Sequence, residues 1–266
     1  MQNQWHRGGV PCVASLDELH RAAADFAVTD LSLVIEPSAL AAARRSLVES
    51  GFLLLGEVHG VQENPLVIRS LMRAFGLDGL ALEWPEVLAP IAGAFLAGGR
   101  LADHPLLWFG DGRITAGHLA VLRERAAAGP LSLTLFDGTI GAGWNWSQRD
   151  EAMARRILAA PATATGTGTL VVAGNAHTPT TRTGLGMPLG ACLARQRPGL
   201  REIRISYGGG RYYNMQPRRF RRRIGLRRRQ ARLHHRRGSL VLDLPAAAEA
   251  VVPHRPQPWP AGPHLG

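Results

Sequence analysis

Two segments of the same shape constrain the fold of this chain more than any other feature. Residues 52–59 read FLLLGEVH, and residues 169–177 read TLVVAGNAH. Each is a short apolar run typical of a buried strand, followed by the pattern Gly-x-x-His, which ends at His59 and His177. Polar side chains directly after buried strands are how an open α/β sheet builds a site at its carboxyl edge. The repeated pattern therefore predicts that both histidines reach one pocket.

The rest of the chain alternates between strand and helix patterns. Further strands are predicted near 79–84, 131–136, 202–207 and 240–244, and helices near 16–26, 38–49, 64–75, 86–96, 118–128, 148–159 and 186–196. Such alternation is typical of a mostly parallel sheet. We therefore predict an α/β fold with helices on both faces of the sheet and a site at the carboxyl edge of its strands.

The domain boundaries follow from shifts in composition. Residues 1–50 are predicted to form a helical preamble and residues 51–216 the α/β core, in which the irregular segment 98–117 is a lid or an insertion. An arginine-rich insertion is predicted at 217–237, the last strand of the core at 238–252, and a disordered, proline-rich tail at 253–266.

The number of cysteines and the hydropathy of the chain limit the classes of protein to which it can belong. Only Cys12 and Cys192 are present, far apart, which argues against a disulfide framework and against a thiolate metal cluster. No apolar stretch has the length of a signal peptide or approaches the roughly 20 residues of a membrane span. These features predict a cytoplasmic protein.

The net charge of +11 comes from one segment. Residues 217–237 contain eleven arginines and no acidic residue, so the rest of the chain is neutral overall. Three interpretations stay open for this segment: it binds the phosphates of a nucleic acid, lies on an anionic membrane, or is a solvated insertion.

Four of the predicted strands end in polar residues, which a parallel sheet would bring to one edge. These residues are Glu57, His59, Glu83, Asp137, Asn175 and His177. Two imidazoles with several carboxylates suit a divalent metal, for which His59, His177 and Glu57 are the candidate ligands. Alternatively, a carboxylate orients a histidine that acts as general base on water.

The motifs that the chain lacks narrow the chemistry. There is no Gly-x-Ser-x-Gly, His-Glu-x-x-His, Walker or Gly-x-Gly-x-x-Gly motif, and neither cysteine follows a predicted strand. Attack by water on a substrate carbonyl is therefore favoured over a covalent mechanism. Residues 147–150 have the spacing of a capping box, which we expect to explain Asp150, while Arg149 is a candidate contact for an anion or cofactor. Trp144 and Trp146 either line the pocket or pack in the core.

A series of short motifs resembles a known superfamily. The series is GEVHG at 56–60, LE at 82–83, RDEAMA at 149–154, AGNAH at 173–177 and GMP at 186–188. It resembles the superfamily of erythromycin esterases, ChaN-type haem-binding proteins and the TIKI/TraB group, and is most similar to the ChaN-like branch. The similarity covers residues 50–207 in the expected order.

The resemblance implies an α/β fold with its site at one edge of the sheet. By analogy with the erythromycin esterases, His59 would be the general base and Glu83 its support, with Glu57 and His177 completing the pocket. The TIKI members imply a metal-dependent protease, and the ChaN-like members imply haem binding. Haem ligation would use one of the tyrosines, of which Tyr207 is the first candidate. The ChaN-like members are lipoproteins, and no lipidation site is recognised here.

Three hypotheses of function follow. The leading one is a hydrolase that attacks an ester or amide of a small-molecule substrate with activated water, with or without a divalent metal. The second is a protein that binds haem or another cofactor without turnover. The third is a nucleic-acid-associated protein that acts through segment 217–237.

Overall fold

A computed structural model of the chain describes residues 12–138, 145–161, 163, 165–221, 230–236 and 238–255. Within these residues the helices are α1 Leu16–Asp25, α2 Pro37–Ser50, α3 Asn64–Phe75, α4 Ala89–Leu96, α5 Ala116–Ala128, α6 Trp146–Ala159 and α7 Leu189–Gln196. The strands are β1 Cys12–Val13, β2 Leu33–Ile35, β3 Phe52–Glu57, β4 Gly79–Pro85, β5 Ser132–Asp137, β6 Thr169–Gly174, β7 Glu202–Tyr207, β8 Gly210–Asn214, β9 Gln216–Phe220, β10 Ala231–Arg236, β11 Ser239–Leu244 and β12 Val252–Pro253. Two short 3₁₀ helices lie at Glu86–Leu88 and Pro105–Trp108.

The central sheet has eight strands in the order β2-β10-β11-β7-β3-β6-β4-β5. The six strands from β11 to β5 are parallel, whereas β10 pairs antiparallel with β11 and parallel with β2. A sheet of this kind needs helical crossovers between its parallel strands, and α3, α5, α6 and α7 provide them. The predicted α/β fold with a mostly parallel sheet is confirmed.

Helices cover both faces of the sheet. Leu53 and Leu55 of β3 point to the face packed by α1 to α5, while Leu54 points to the face packed by α6 and α7. This alternation follows from the twofold period of a strand, and burial on both faces explains why β3 and β6 read as continuous apolar runs. None of the helices in the described ranges is long and apolar enough to cross a membrane.

Two of the predicted boundaries are wrong. The predicted preamble contains β2, which is the edge strand of the central sheet, and the predicted arginine-rich insertion contains β10, which lies between β2 and β11. In β10, Ala231 and Leu233 are buried in the main core while Arg232 and His234 point to the opposite face. The high arginine content concealed this alternation.

The predicted tail is ordered at its start. Val252 and Pro253 form β12, which pairs parallel with β1, and residues 256–266 lie outside the described part of the chain. The predicted last strand of the core at 240–244 is present as β11.

Candidate functional site

The site lies where β3, β6, β4 and β5 end at the carboxyl edge of the sheet. These four strands are adjacent, and Glu57 pairs with Gly174 while Pro85 pairs with Asp137. The strand order therefore brings the polar residues that follow the strands close together, although they are distant in sequence. The cluster contains Glu57, His59, Glu83, Asp137, Arg149 and His177, all of which the sequence indicates, together with Arg113 and Asp150.

His59 lies between two buried carboxylates. Its Nδ1 donates to Glu57 Oε1 over 3.1 Å, and its Nε2 is 3.6 Å from Glu83 Oε2. The His59 side chain is 17% exposed, against 3% for Glu57 and 4% for Glu83. The imidazole is therefore the part of this trio that a substrate could reach.

The carboxylates set the protonation of His59. Burial alone would lower the pKa of His59, but its hydrogen bond to Glu57 and the nearby charges of Glu83 and Glu57 outweigh burial and raise the pKa to about 10. Burial also raises the pKa of Glu57. Burial would raise the pKa of Glu83, but interactions with the neighbouring His177, His59 and Arg113 side chains outweigh burial and hold it well below its usual range. At neutral pH, His59 is protonated and Glu83 is ionised.

His177 has a different set of neighbours. Its Nδ1 donates to Asp150 Oδ1 over 2.7 Å, and Asp150 Oδ2 accepts the backbone N–H of Leu189 over 2.8 Å. Asp150 is fully buried. Trp146 stacks on the imidazole with 4.3 Å between ring centroids and 9° between planes. These contacts hold the ring in one orientation and direct its Nε2 toward Arg149, which donates to it over 3.2 Å.

Two arginines link the two halves of the cluster. Arg149 donates through Nη2 to Glu83 over 3.0 Å and to Asp137 over 2.9 Å, and through Nε to Asp137 over 3.1 Å. Arg113 also donates to Asp137, and its Nη1 is 3.8 Å from Glu83 Oε1. Burial would lower the pKa of both guanidinium groups, but the neighbouring carboxylates outweigh it, so both stay charged.

Two buried polar atoms, one in the cluster and one on the tryptophan that stacks on His177, lack a hydrogen-bond partner among the described residues. They are Glu57 Oε2, an acceptor, and Trp146 Nε1, a donor. Since a buried polar atom without a partner is costly, both are suited to a bound water or substrate group.

The prediction that helix capping explains Asp150 is wrong. The capping box of α6 is formed by Asn145 and Gln148, and Asp150 instead contacts His177. A sequence signal for this existed, because Asp150, Met153, Ala154 and Ile157 follow the i, i+3, i+4, i+7 pattern of one buried helix face. No comparable signal identified Arg113, which lies in the irregular segment predicted as a lid or insertion.

Tyr207 and Asn175 do not join the cluster in the predicted way. The Tyr207 hydroxyl is buried, donates to Asn64 Oδ1 over 2.9 Å and accepts from the Val58 N–H over 3.0 Å. Because both of these hydrogen bonds lie inside the protein, the Tyr207 hydroxyl is not available as a cofactor ligand. Asn175 donates its backbone N–H to the Glu57 carbonyl, and its side chain lies over Gly56 on the opposite face of the strand. Trp144 lies outside the described residues.

The predicted metal ligands do not form a metal site. Among the described residues, no group of three or more His, Cys, Asp or Glu side chains could hold a metal ion. The guanidinium of Arg149 lies beside both His177 Nε2 and Glu83 Oε1, so a fixed positive charge takes the place of a metal ion there. Glu57 and His59 are engaged with each other. This donor set does not fit a divalent metal.

Comparison with known proteins shows the fold and no more. The sequence matches no protein-family model and no curated protein. A Bacillus cereus protein has a similar structure, with a TM-score of 0.54 and 10% identity over 90% of this chain and 100% of that one. Two structures of bacterial protein toxins match with TM-scores of 0.44, at 20% and 22% identity over 71% of this chain. The match spans 39% of each toxin chain.

Proposed function

We propose that this protein hydrolyses an ester or amide bond with a water molecule that His59 activates, and that it does so without a metal ion. The observation that carries the proposal is the position of His59, which is partly accessible while both of its ring nitrogens face buried carboxylates. The motif resemblance to the erythromycin esterases agrees with this role, but at this level of similarity it stays a prediction.

The contacts of His59 suit it to act as a base. Glu57 accepts a hydrogen bond from Nδ1, which orients the ring and stabilises the imidazolium that forms on proton transfer. Nε2 is 3.6 Å from Glu83, longer than a hydrogen bond, so in the neutral form of the ring this nitrogen can take a proton from water. Since the pKa of His59 is raised to about 10, the free base is a minor species at neutral pH. The rate should therefore rise with pH across the neutral range.

The arginines supply the positive charge that the reaction requires. A tetrahedral intermediate carries an oxyanion, and fixed positive groups in a site shielded from water stabilise it. Arg149 uses four of its N–H groups in hydrogen bonds to Glu83, Asp137 and His177, which hold the guanidinium in place. This leaves one N–H for a substrate oxygen.

The test is hydrolysis of 4-nitrophenyl acetate by the purified chain. We expect His59→Gln to lower kcat/KM by about 100-fold or more, because a positioned base contributes about 10² to 10⁴ in rate. The exposed residue His235 offers a matched control, and His235→Gln should retain the wild-type rate. Excess EDTA should not change the rate. The wild-type rate should rise with pH up to about 10.

The proposal fails if His59→Gln and the control His235→Gln both hydrolyse the ester at the wild-type rate. Circular dichroism during thermal unfolding checks that His59→Gln is folded under the conditions in which its rate is measured. Loss of activity in EDTA, restored by a divalent metal, would replace the metal-free mechanism with a metal-dependent one.

A further inference from the structure

The structure divides the arginine-rich segment into a neutralised part and a part that carries unpaired charge. In β10, Arg232 forms an ion pair with Glu36 and His234 Nε2 lies 3.1 Å from Asp243 Oδ2, which leaves Arg236 as the exposed arginine of that strand. In and just after β9, Arg218, Arg219 and Arg221 are exposed and have no acidic partner among the described residues. The excess positive charge of the described segment is therefore concentrated around β9.

β9 belongs to a hairpin that is fixed beside the loop of His59. We call residues 210–220 the β8–β9 ribbon; its two strands are antiparallel, with Tyr213 paired to Pro217. Tyr213 donates its N–H to the carbonyl of Gly60, the residue after His59, over 3.0 Å. Gly60 has a φ of +75°, and a Cβ there would lie 1.7 Å from the Tyr213 carbonyl oxygen. Only glycine permits this close approach.

A second contact fixes the far end of the ribbon. Phe220 stacks on Tyr207 with 4.5 Å between ring centroids and 9° between planes, and the Tyr207 hydroxyl accepts the N–H of Val58. Adjacent strands are about 4.8 Å apart, so the backbone of β9 lies roughly 10 Å from Gly60. The ribbon is thus a fixed platform beside the loop of His59. Because side chains alternate along a strand, Arg218 lies on the same face of the ribbon as Phe220, and Arg219 lies on the other face.

We propose that the β8–β9 ribbon binds an anionic group of the substrate, a carboxylate or a phosphate, while His59 acts on the bond to be hydrolysed. Guanidinium groups pair with both anions through two parallel hydrogen bonds, and a fixed platform reduces the entropy lost on binding. This inference rests on the proposed function in one respect, namely that the bound molecule is then hydrolysed. The binding of anions can be measured without turnover.

The first experiment compares two esters with the same leaving group, neutral 4-nitrophenyl acetate and anionic 4-nitrophenyl hemisuccinate. In the double variant Arg218→Gln/Arg219→Gln, we expect the ratio of KM for the anionic ester to KM for the neutral ester to rise about tenfold. Arg236→Gln is the matched control, because Arg236 is an exposed arginine of the same segment whose partner in β11 is Ser239, at the opposite edge of the sheet. Its KM ratio should match the wild type.

The second experiment measures binding directly, by calorimetry with inorganic pyrophosphate and with succinate. We expect the wild type and Arg236→Gln to bind at least one of the two, more weakly as salt increases, and the double variant to lose about tenfold in affinity. The tighter of the two anions identifies the group that the ribbon prefers. Binding without hydrolysis of either ester would support the ribbon and reject the proposed function.

The inference is overturned if the double variant binds both anions as well as the wild type does, or if Arg236→Gln loses as much affinity as the double variant. It is also overturned if the ribbon arginines are needed to bind a single-stranded oligonucleotide but leave the KM ratio unchanged. That result would assign the ribbon to a nucleic acid.

Discussion

The two Gly-x-x-His loops share a sequence pattern but not an environment. His59 lies between two carboxylates and is the more accessible ring, whereas His177 is held by one fully buried carboxylate, a stacked tryptophan and an arginine. The partners of His59 come from strands β3 and β4, while the hydrogen-bond and stacking partners of His177 come from helix α6. Glu83 of β4 lies near both rings, since its Oε1 is 3.5 Å from His177 Nε2. The comparison teaches that a motif places a histidine at the edge of a sheet, and that the neighbouring elements decide its protonation and accessibility.

The largest expected effect comes from removing the carboxylate partner of each histidine in turn. Asp150→Ala leaves the buried donors His177 Nδ1 and Leu189 N without an acceptor, so we expect the free energy of unfolding to fall by about 2 to 5 kcal/mol. Glu57→Ala should cost less, about 1 to 2 kcal/mol, because it leaves one donor, His59 Nδ1, on a ring that is partly exposed and keeps Glu83 nearby. Urea unfolding at one pH measures both values. Equal losses would show that the two loops are not supported differently.

The second-largest expected effect is the pH dependence of the unfolding free energy that His59 causes. The pKa of His59 is about 10 in the folded protein against an ordinary value of 6.5, so the folded state binds more protons between these values. The stabilisation is complete below pH 6.5 and is lost as the pH rises through about 10. Stability should fall by up to about 1.4 kcal/mol per pH unit in this window.

The matched variants His59→Gln and His177→Gln separate this slope from the titration of other groups. His59→Gln should remove it, and His177→Gln should keep most of it. Unfolding in urea from pH 6 to pH 10 provides the measurement. A slope that survives in His59→Gln would mean that the two carboxylates do not hold a proton on this ring.

The smallest effect comes from the aromatic contact of His177, which His59 lacks among the described residues. Trp146→Leu removes the stacked indole, so we expect a loss of about 0.5 to 1.5 kcal/mol in unfolding free energy. In proton NMR, the His177 ring signals should move downfield as the ring current is lost, while those of His59 stay in place. Movement of both sets by similar amounts would contradict the separation of the two environments.

Part of the site could be predicted because it follows buried strands. The apolar runs that end at Glu57, Glu83 and Asp137 and before His177 are visible in the sequence, and parallel strands bring their ends to one edge. Arg149 and Asp150 lie on a helix, where capping competes with burial as an explanation, and only the packing of α6 against the sheet distinguishes the two. Arg113 lies in an irregular segment whose path is set by tertiary contacts such as the hydrogen bond from Trp84 Nε1 to its carbonyl.

The sequence by itself determined the α/β class, the parallel strands and the edge at which the site lies, because the periodicity of apolar residues and the strand-ending glycines are local properties of the chain. Only the tertiary structure decided which strands are neighbours, that β2 and β10 complete the sheet, that Tyr207 is engaged inside the protein, and that an arginine lies where a metal was predicted. The physical reason is that protonation, ligation and accessibility depend on groups within a few ångströms in space, and those groups come from distant parts of the chain.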